Sequence, residues 1–190
     1  MERVRKMHYT HRDGRIYKSL VDINKTATLR RAGQKSKHNH FYKTAFESEY
    51  IPFMSGNDAM LVFSPKGSGN KPKYKFFANS SVSDRSSLFF RLNRDYVLTP
   101  EKEAQTFQTF HTNRKREIKI GTSREYDTEY KLLEKIATHL KPESQGKIVL
   151  FTYYEPCLSC DYVIIQFINR FKKIKMDVYF EEEYKDKGLI

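Results

Sequence analysis

Apolar positions recur along this chain in spacings that separate helices from strands. Between Asp127 and Leu140 (DTEYKLLEKIATHL), Tyr130, Leu133, Ile136, Ala137 and Leu140 fall on one face at helical spacing, which predicts an amphipathic helix closed by Lys141-Pro142. From Cys157 to about Phe171 the pattern repeats through Val163, Ile164, Phe167, Ile168 and Phe171. Between these two helices, Lys147 to Tyr154 (KIVLFTYY) is a continuous apolar run of strand length, as expected of a strand covered on both faces. Met176 to Phe180 (MDVYF) predicts a last strand ahead of an acidic tail. Ala59 to Ser64 (AMLVFS) and Lys73 to Asn79 (KYKFFAN) read as two strands joined by the turn-rich PKGSGNKP, an antiparallel hairpin with a basic tip.

The remaining stretches carry weaker patterns. Residues 16–31 predict a helix with Ile16, Leu20, Ile23 and Leu29 turned inward. Residues 32–58, rich in Gly, Ser, Asn and His, read mainly as loop, and residues 80–99 as irregular. Thr99-Pro100 carries an N-cap and first-turn signal for a helix running to about His111, followed by a charged, polar stretch over 112–126. The order strand–strand–insert–helix–strand–helix–strand implies the α/β class. Helical crossovers give parallel pairing and the hairpin gives antiparallel pairing, so the sheet is mixed.

Composition and charge narrow the function. With 14 Phe and 13 Tyr in 190 residues there is enough aromatic area for a packed core, which excludes a wholly disordered chain. No run approaches 18 apolar residues, the N-terminus lacks the apolar stretch of a signal peptide, and two cysteines cannot build a disulfide scaffold. The net charge of +12 is uneven: residues 1–45 hold 12 Lys or Arg against three acids, a net of +9, and the rest is close to neutral. The expectation is a basic N-terminal arm and helix over residues 1–58 and a catalytic domain over 59–190. A basic arm leads us to expect a polyanionic partner, nucleic acid first and an anionic membrane second.

Both cysteines sit in Pro156-Cys157-Leu158-Ser159-Cys160, where a buried strand runs into a helix. Amide groups and the helix dipole stabilise thiolates there, and the spacing lets two sulfurs converge on one metal ion. Two ligands do not complete a site. A third donor is available at the start of the other amphipathic helix, in Asp127-Thr128-Glu129: Asp127 as ligand, with Glu129 near the same helix end. The same cysteine spacing also fits a thioredoxin-like thiol oxidoreductase, but that fold sets a proline opposite the cysteines from a later strand, and no proline follows Pro156.

The pair D-T-E and E-P-C-L-S-C, with 26 residues between Glu129 and Pro156, resembles the cytidine deaminase-like superfamily of zinc deaminases. The variant is most similar to the bacterial polymorphic-toxin deaminases. The resemblance spans about residues 59 to 180 and implies a three-layer fold with helices on both faces of the mixed sheet. It implies that Asp127, Cys157 and Cys160 hold Zn²⁺, with Asp127 where relatives usually place His, and that Glu129 is the catalytic proton shuttle. It implies that the substrate is a nucleobase, cytosine in DNA or RNA, with adenine as the alternative because Glu155 precedes the Pro-Cys pair. A further alternative is a nucleic-acid-binding module that keeps the fold without chemistry. Asn79, Tyr153, Tyr154 and Thr128 are the substrate-binding candidates. A toxin role implies delivery from a secreted protein to cytoplasmic nucleic acid, and an immunity protein as partner. The superfamily usually has a fifth strand, which here would be missing or supplied by the tail EEEYKDKGLI.

Overall fold

The computed structural model describes residues 3–69, 71–113 and 117–183. Five strands form one sheet in the order β1-β5-β4-β2-β3: β1 (Val4–His8), β2 (Asp58–Pro65), β3 (Tyr74–Asn79), β4 (Gly146–Tyr154) and β5 (Ile174–Glu182). β1, β5 and β4 run parallel to one another, while β2 pairs antiparallel with both β4 and β3. The helices are α1 (Gly14–His38), α2 (His40–Ser55), α3 (Leu88–Leu92), α4 (Thr128–Ala137) and α5 (Leu158–Arg170).

Strand alternation divides the apolar side chains between two cores. Leu61, Phe63, Ile148, Leu150, Met176 and Val178 face α4 and α5, where they meet Leu133, Ile136, Val163 and Phe167. Met60, Val62, Val149, Phe151 and Tyr179 face the opposite way, against Val21, Ala32, Phe53 and Phe89 of α1, α2 and α3. The continuous apolar run of β4 follows, since each of its two faces is covered. The result is the α/β mixed sheet with helices on both faces, in three layers.

The fifth strand of the sheet, expected to be missing or supplied by the tail, is β1 from the N-terminus, which pairs in parallel with β5 from Val4↔Met176 to His8↔Phe180. The tail beyond Glu183 lies outside the described residues. The basic segment is therefore built into the sheet and the second core rather than extending from them as an arm. Gly14 begins α1 against Tyr9 and Tyr179, so closely that a Cβ there would lie 2.3 Å from the Tyr9 carbonyl oxygen.

Three further expectations are corrected. α1 extends well past residue 31, and its buried stripe is Gly14, Val21, Thr28 and Ala32, with Ile16 and Ile23 exposed. The stretch 32–58 is mostly helical: the chain breaks only at Asn39, whose extended backbone and side chain cap α2 by accepting from the Phe41 and Tyr42 amides. Phe53 of α2 is buried, stacked on Phe89 with ring centroids 3.8 Å apart, and that packing holds the helix despite Pro52. Finally, the helix expected from Thr99 is reduced to one short turn at Lys102–Ala104. The amides of Thr106 and Phe107 instead donate to the buried Glu134 carboxylate on α4, at 2.7 to 3.0 Å. The Phe110 amide donates to Ser159 of α5. A tertiary carboxylate and hydroxyl outcompete the local helix, and the segment crosses both helices as an extended strap with Phe107 buried beneath it.

Candidate functional site

The sheet topology brings the C-terminal end of β4 beside the N-termini of α4 and α5. Asp127 occupies the N-cap position of α4, with an extended backbone, but its side chain caps no amide of its own helix. Its Oδ2 instead lies 3.3 Å from Cys157 Sγ and 3.2 Å from Cys160 Sγ. Cys157 is the N-cap of α5 and its sulfur accepts from the Cys160 amide. The two sulfurs are 3.3 Å apart. One donor atom from each of Asp127, Cys157 and Cys160 thus lies within 4.8 Å of the others, in a cluster that could hold a metal ion. Two helix N-termini face it, each favouring negative charge.

Glu129, in the first turn of α4, is 3% exposed and places Oε2 3.7 Å from Cys160 Sγ. Both carboxylate oxygens are held by hydroxyls: Thr128 Oγ1 donates to Oε2 at 3.0 Å, and Thr152 Oγ1 donates to Oε1 at 2.9 Å. Burial, and then the charge of Asp127, push the Glu129 carboxyl up to about 7, against the opposing pull of the two threonine bonds. The contact with Cys157, burial, and the charges of Glu129 and Asp127 raise the Cys160 thiol well above its usual range. Four acidic groups thus crowd a buried space. A divalent cation would relieve their repulsion, and two sulfurs with one carboxylate oxygen are a donor set that Zn²⁺ accepts.

The surrounding residues support this arrangement. Arg124 donates through Nε and Nη2 to the Thr112 carbonyl at 3.1 and 2.6 Å, and its Nη1 stands 3.8 Å from Asp127 Oδ1. The guanidinium thereby ties Thr112 to the side of the cluster. Lys131, fully buried one turn into α4, donates from Nζ to the carbonyls of Asn79, Ser80 and Val82 and to the Ser83 hydroxyl. It fixes the turn after β3 on α4.

The structure brings Asp127, Glu129, Cys157 and Cys160 together, with Thr128 on Glu129. The other substrate candidates are placed differently. Asn79 is completely buried, and its amide is engaged by Asp58, the Phe53 carbonyl and Ser81. Tyr153 is tied to α1, its hydroxyl donating to Asp22 and the Lys18 ammonium 5.2 Å from its ring centroid. Tyr154 is open to solvent at 42% exposure, as is Tyr126 at 49%, next in the chain to Asp127.

The sequence reading passed over Asn57 and Thr152. Asn57 Nδ2 donates to both Thr128 Oγ1 and Thr152 Oγ1, each at 2.9 Å. Thr152, completely buried, is the lone aliphatic hydroxyl inside the apolar run KIVLFTYY, which was its available signal.

Residues 54–182, well over half of the chain, match a toxin-deaminase family described as the BURPS668_1122 family of deaminases. The chain belongs to that family. Deamination is therefore the activity to which the Asp127, Glu129, Cys157 and Cys160 geometry must answer, and the thioredoxin-like alternative is set aside. The match covers α4, β4 and α5 whole, so every residue of the cluster lies inside the deaminase region. Searches of curated proteins and of solved structures found no match.

Proposed function

We propose that this deaminase hydrolyses the exocyclic amine of a nucleobase in a zinc-dependent reaction, with cytosine in DNA or RNA converted to uracil, and that it serves as a bacterial toxin. The observation that carries this reading is the convergence of half-buried Asp127 with buried Cys157 and Cys160, and a buried carboxylate, Glu129, 3.7 Å from one of the sulfurs. Zinc bound by those three donors would supply Lewis acidity, lowering the pKa of a coordinated water so that a nucleophile exists near neutral pH.

The chain's own residues would do the rest. Glu129, buried with one oxygen 3.7 Å from Cys160 Sγ, is placed both to accept a proton and to return it, first to the ring nitrogen and then to departing ammonia. Thr128 and Thr152 keep its two oxygens fixed meanwhile. The exposed rings of Tyr154 and Tyr126 offer stacking surfaces to a base removed from its neighbours. Arg15, Arg30, Arg31, Lys35 and Lys37, exposed along α1, supply a basic face for the phosphates of a polymer. As a toxin, the protein would be matched by an immunity protein.

The test is metal analysis paired with product identification. Purified protein is offered single- and double-stranded DNA, RNA and free nucleosides, and the products are resolved by mass spectrometry. Uracil in a polymer, with near-stoichiometric zinc, is the expected result. Inosine or hypoxanthine would move the assignment to adenine, and zinc-loaded protein inert on every substrate would overturn the enzymatic reading.

A further inference from the structure

Asn57 lies between α2 and β2, outside the metal group, and every hydrogen-bonding position of its side chain is engaged. Oδ1 accepts from the amides of Tyr153 and Tyr154 at 3.2 and 3.4 Å. Nδ2 donates to Thr128 and Thr152, which in turn hold the two oxygens of Glu129. We propose that Asn57 is the positioning residue for Glu129, acting by setting which way the two threonine hydroxyls point. The proposal rests on the deaminase reading above.

The direction follows from counting donors and acceptors. The Tyr153 and Tyr154 amides can only donate, so the oxygen of the Asn57 side chain must face them and its nitrogen must face the threonines. Each threonine hydroxyl has one hydrogen. Because each Oγ1 already accepts from Nδ2, that hydrogen is free to be given away, and Glu129 is the acceptor 2.9 or 3.0 Å from each. The carboxylate is therefore gripped at both ends and cannot rotate.

The grip is itself anchored. The Asn57 amide donates to Ser80 Oγ and its carbonyl accepts from the Ser80 amide, both at 2.9 Å. Gly56 lets the chain pass so close that a Cβ at that position would lie 2.7 Å from Asn79 Oδ1. The turn after the second strand of the hairpin, the end of β4 and the start of α4 are thus joined through one asparagine. A proton shuttle that serves two sites needs this fixity, because small misplacements of a reacting group cost rate steeply.

The decisive variant is Asn57→Asp. It keeps the shape and an acceptor for the two tyrosine amides, but it presents an acceptor to the threonines in place of a donor. The hydroxyls then turn towards the aspartate and away from Glu129. Using an oligonucleotide on which the wild type is active, we expect kcat to fall on the order of 100-fold, with KM, bound zinc and melting temperature little changed. Thr128→Val and Thr152→Val should each lower kcat, and Asn57→Asp added to the pair should lower it no further, since all three act through one carboxylate. Hydrogen exchange of the Tyr153 and Tyr154 amides should stay slow in Asn57→Asp and quicken in Asn57→Ala. Wild-type kcat in Asn57→Asp, or losses that add independently, would overturn the proposal. If Asn57→Asp does not fold, the threonine variants decide: full kcat in either of them overturns it. Glu129→Ala is measured alongside; wild-type turnover there would sink the deaminase role of Glu129 itself, whatever the Asn57 variants do.

Discussion

Arg5 and Asp177 are direct partners in the register of β1 and β5, and their side chains join the same strands a second time. Arg5 donates through Nε and Nη2 to the two oxygens of Asp177, both at 2.7 Å, and Lys147 of β4 reaches Asp177 Oδ2 at 2.8 Å. One buried carboxylate thus links three parallel strands by charge, in a planar, two-point geometry that lysine could not supply in place of Arg5.

Burial opposes ionisation of Asp177, but the bonds and charges of Lys147 and Arg5 outweigh it and hold the carboxyl below its usual value. The folded state therefore binds this proton less readily than the unfolded state, and stability rises with pH across the interval. The contribution is complete above the ordinary carboxylate range and disappears as pH falls through the lowered folded value. We expect Asp177→Asn to destabilise the protein at pH 7 by about 1–3 kcal/mol, allowing for the partial exposure of both cations. The loss should shrink on acidification, and urea unfolding between pH 3 and pH 7 measures both.

Removal of residues 1–45 follows a different course from that expected of a free basic tail. The deletion takes away β1 and α1, and with them Val21, Ala32 and the Arg5 contact. We expect the shortened chain to be insoluble or to lack a cooperative melting transition, so that activity is lost on nucleosides and polymers alike. Neutralising the exposed basic residues is the cleaner probe of polymer binding. Arg30→Gln with Arg31→Gln and Lys35→Gln should leave melting unchanged, weaken binding to an oligonucleotide and flatten its dependence on salt.

Metal loss should be separable from loss of chemistry. Cys157→Ser and Asp127→Ala each remove a donor and are expected to lower bound zinc sharply and to depress the melting temperature, as chelator treatment should in the wild type. Glu129→Ala leaves all three donors in place and should retain zinc while losing turnover. Metal content and differential scanning calorimetry on the four proteins check this.

Glu134 holds the strap over α4 and α5. Glu134→Ala leaves the amides of Thr106 and Phe107 without their carboxylate, at a cost of about 1–3 kcal/mol for the buried Phe107 amide and less for the half-buried Thr106 amide. The expected result is early proteolytic cleavage near residues 105–110, with the rest of the sheet resisting digestion for longer.

The elements legible from sequence are those whose local pattern coincides with their burial. α4, β4 and α5 each carry their period of 3.6, or an unbroken apolar run, and they meet the core where that pattern says. The Asp127, Glu129, Cys157 and Cys160 group was legible for the same reason, since both helix starts could be located. α2 was readable in principle from Tyr42, Phe46, Glu49 and Phe53 at helical spacing, but Asn39 and its neighbouring histidines drew attention to a break that is a single residue wide. The strap was misread because the Thr99-Pro100 signal is local, whereas Glu134 stands 27 residues from Phe107. The clamp on Glu129 was hidden for a similar reason: Asn57 lies 71 residues from Thr128 and 95 from Thr152, and a single asparagine carries no period.

The pairing of β1 with β5 also sets how the sheet can close. Arg5 and Asp177 are 172 residues apart, and parallel strands that distant offer no hairpin to nucleate them. β1 therefore meets β5 only by a long-range closure that no local turn prepares. A nascent or truncated chain lacking β5 leaves β1 and β4 without the strand between them. Completion of the sheet thus waits on a closure spanning 172 residues, the kind of contact that topology makes slow to form.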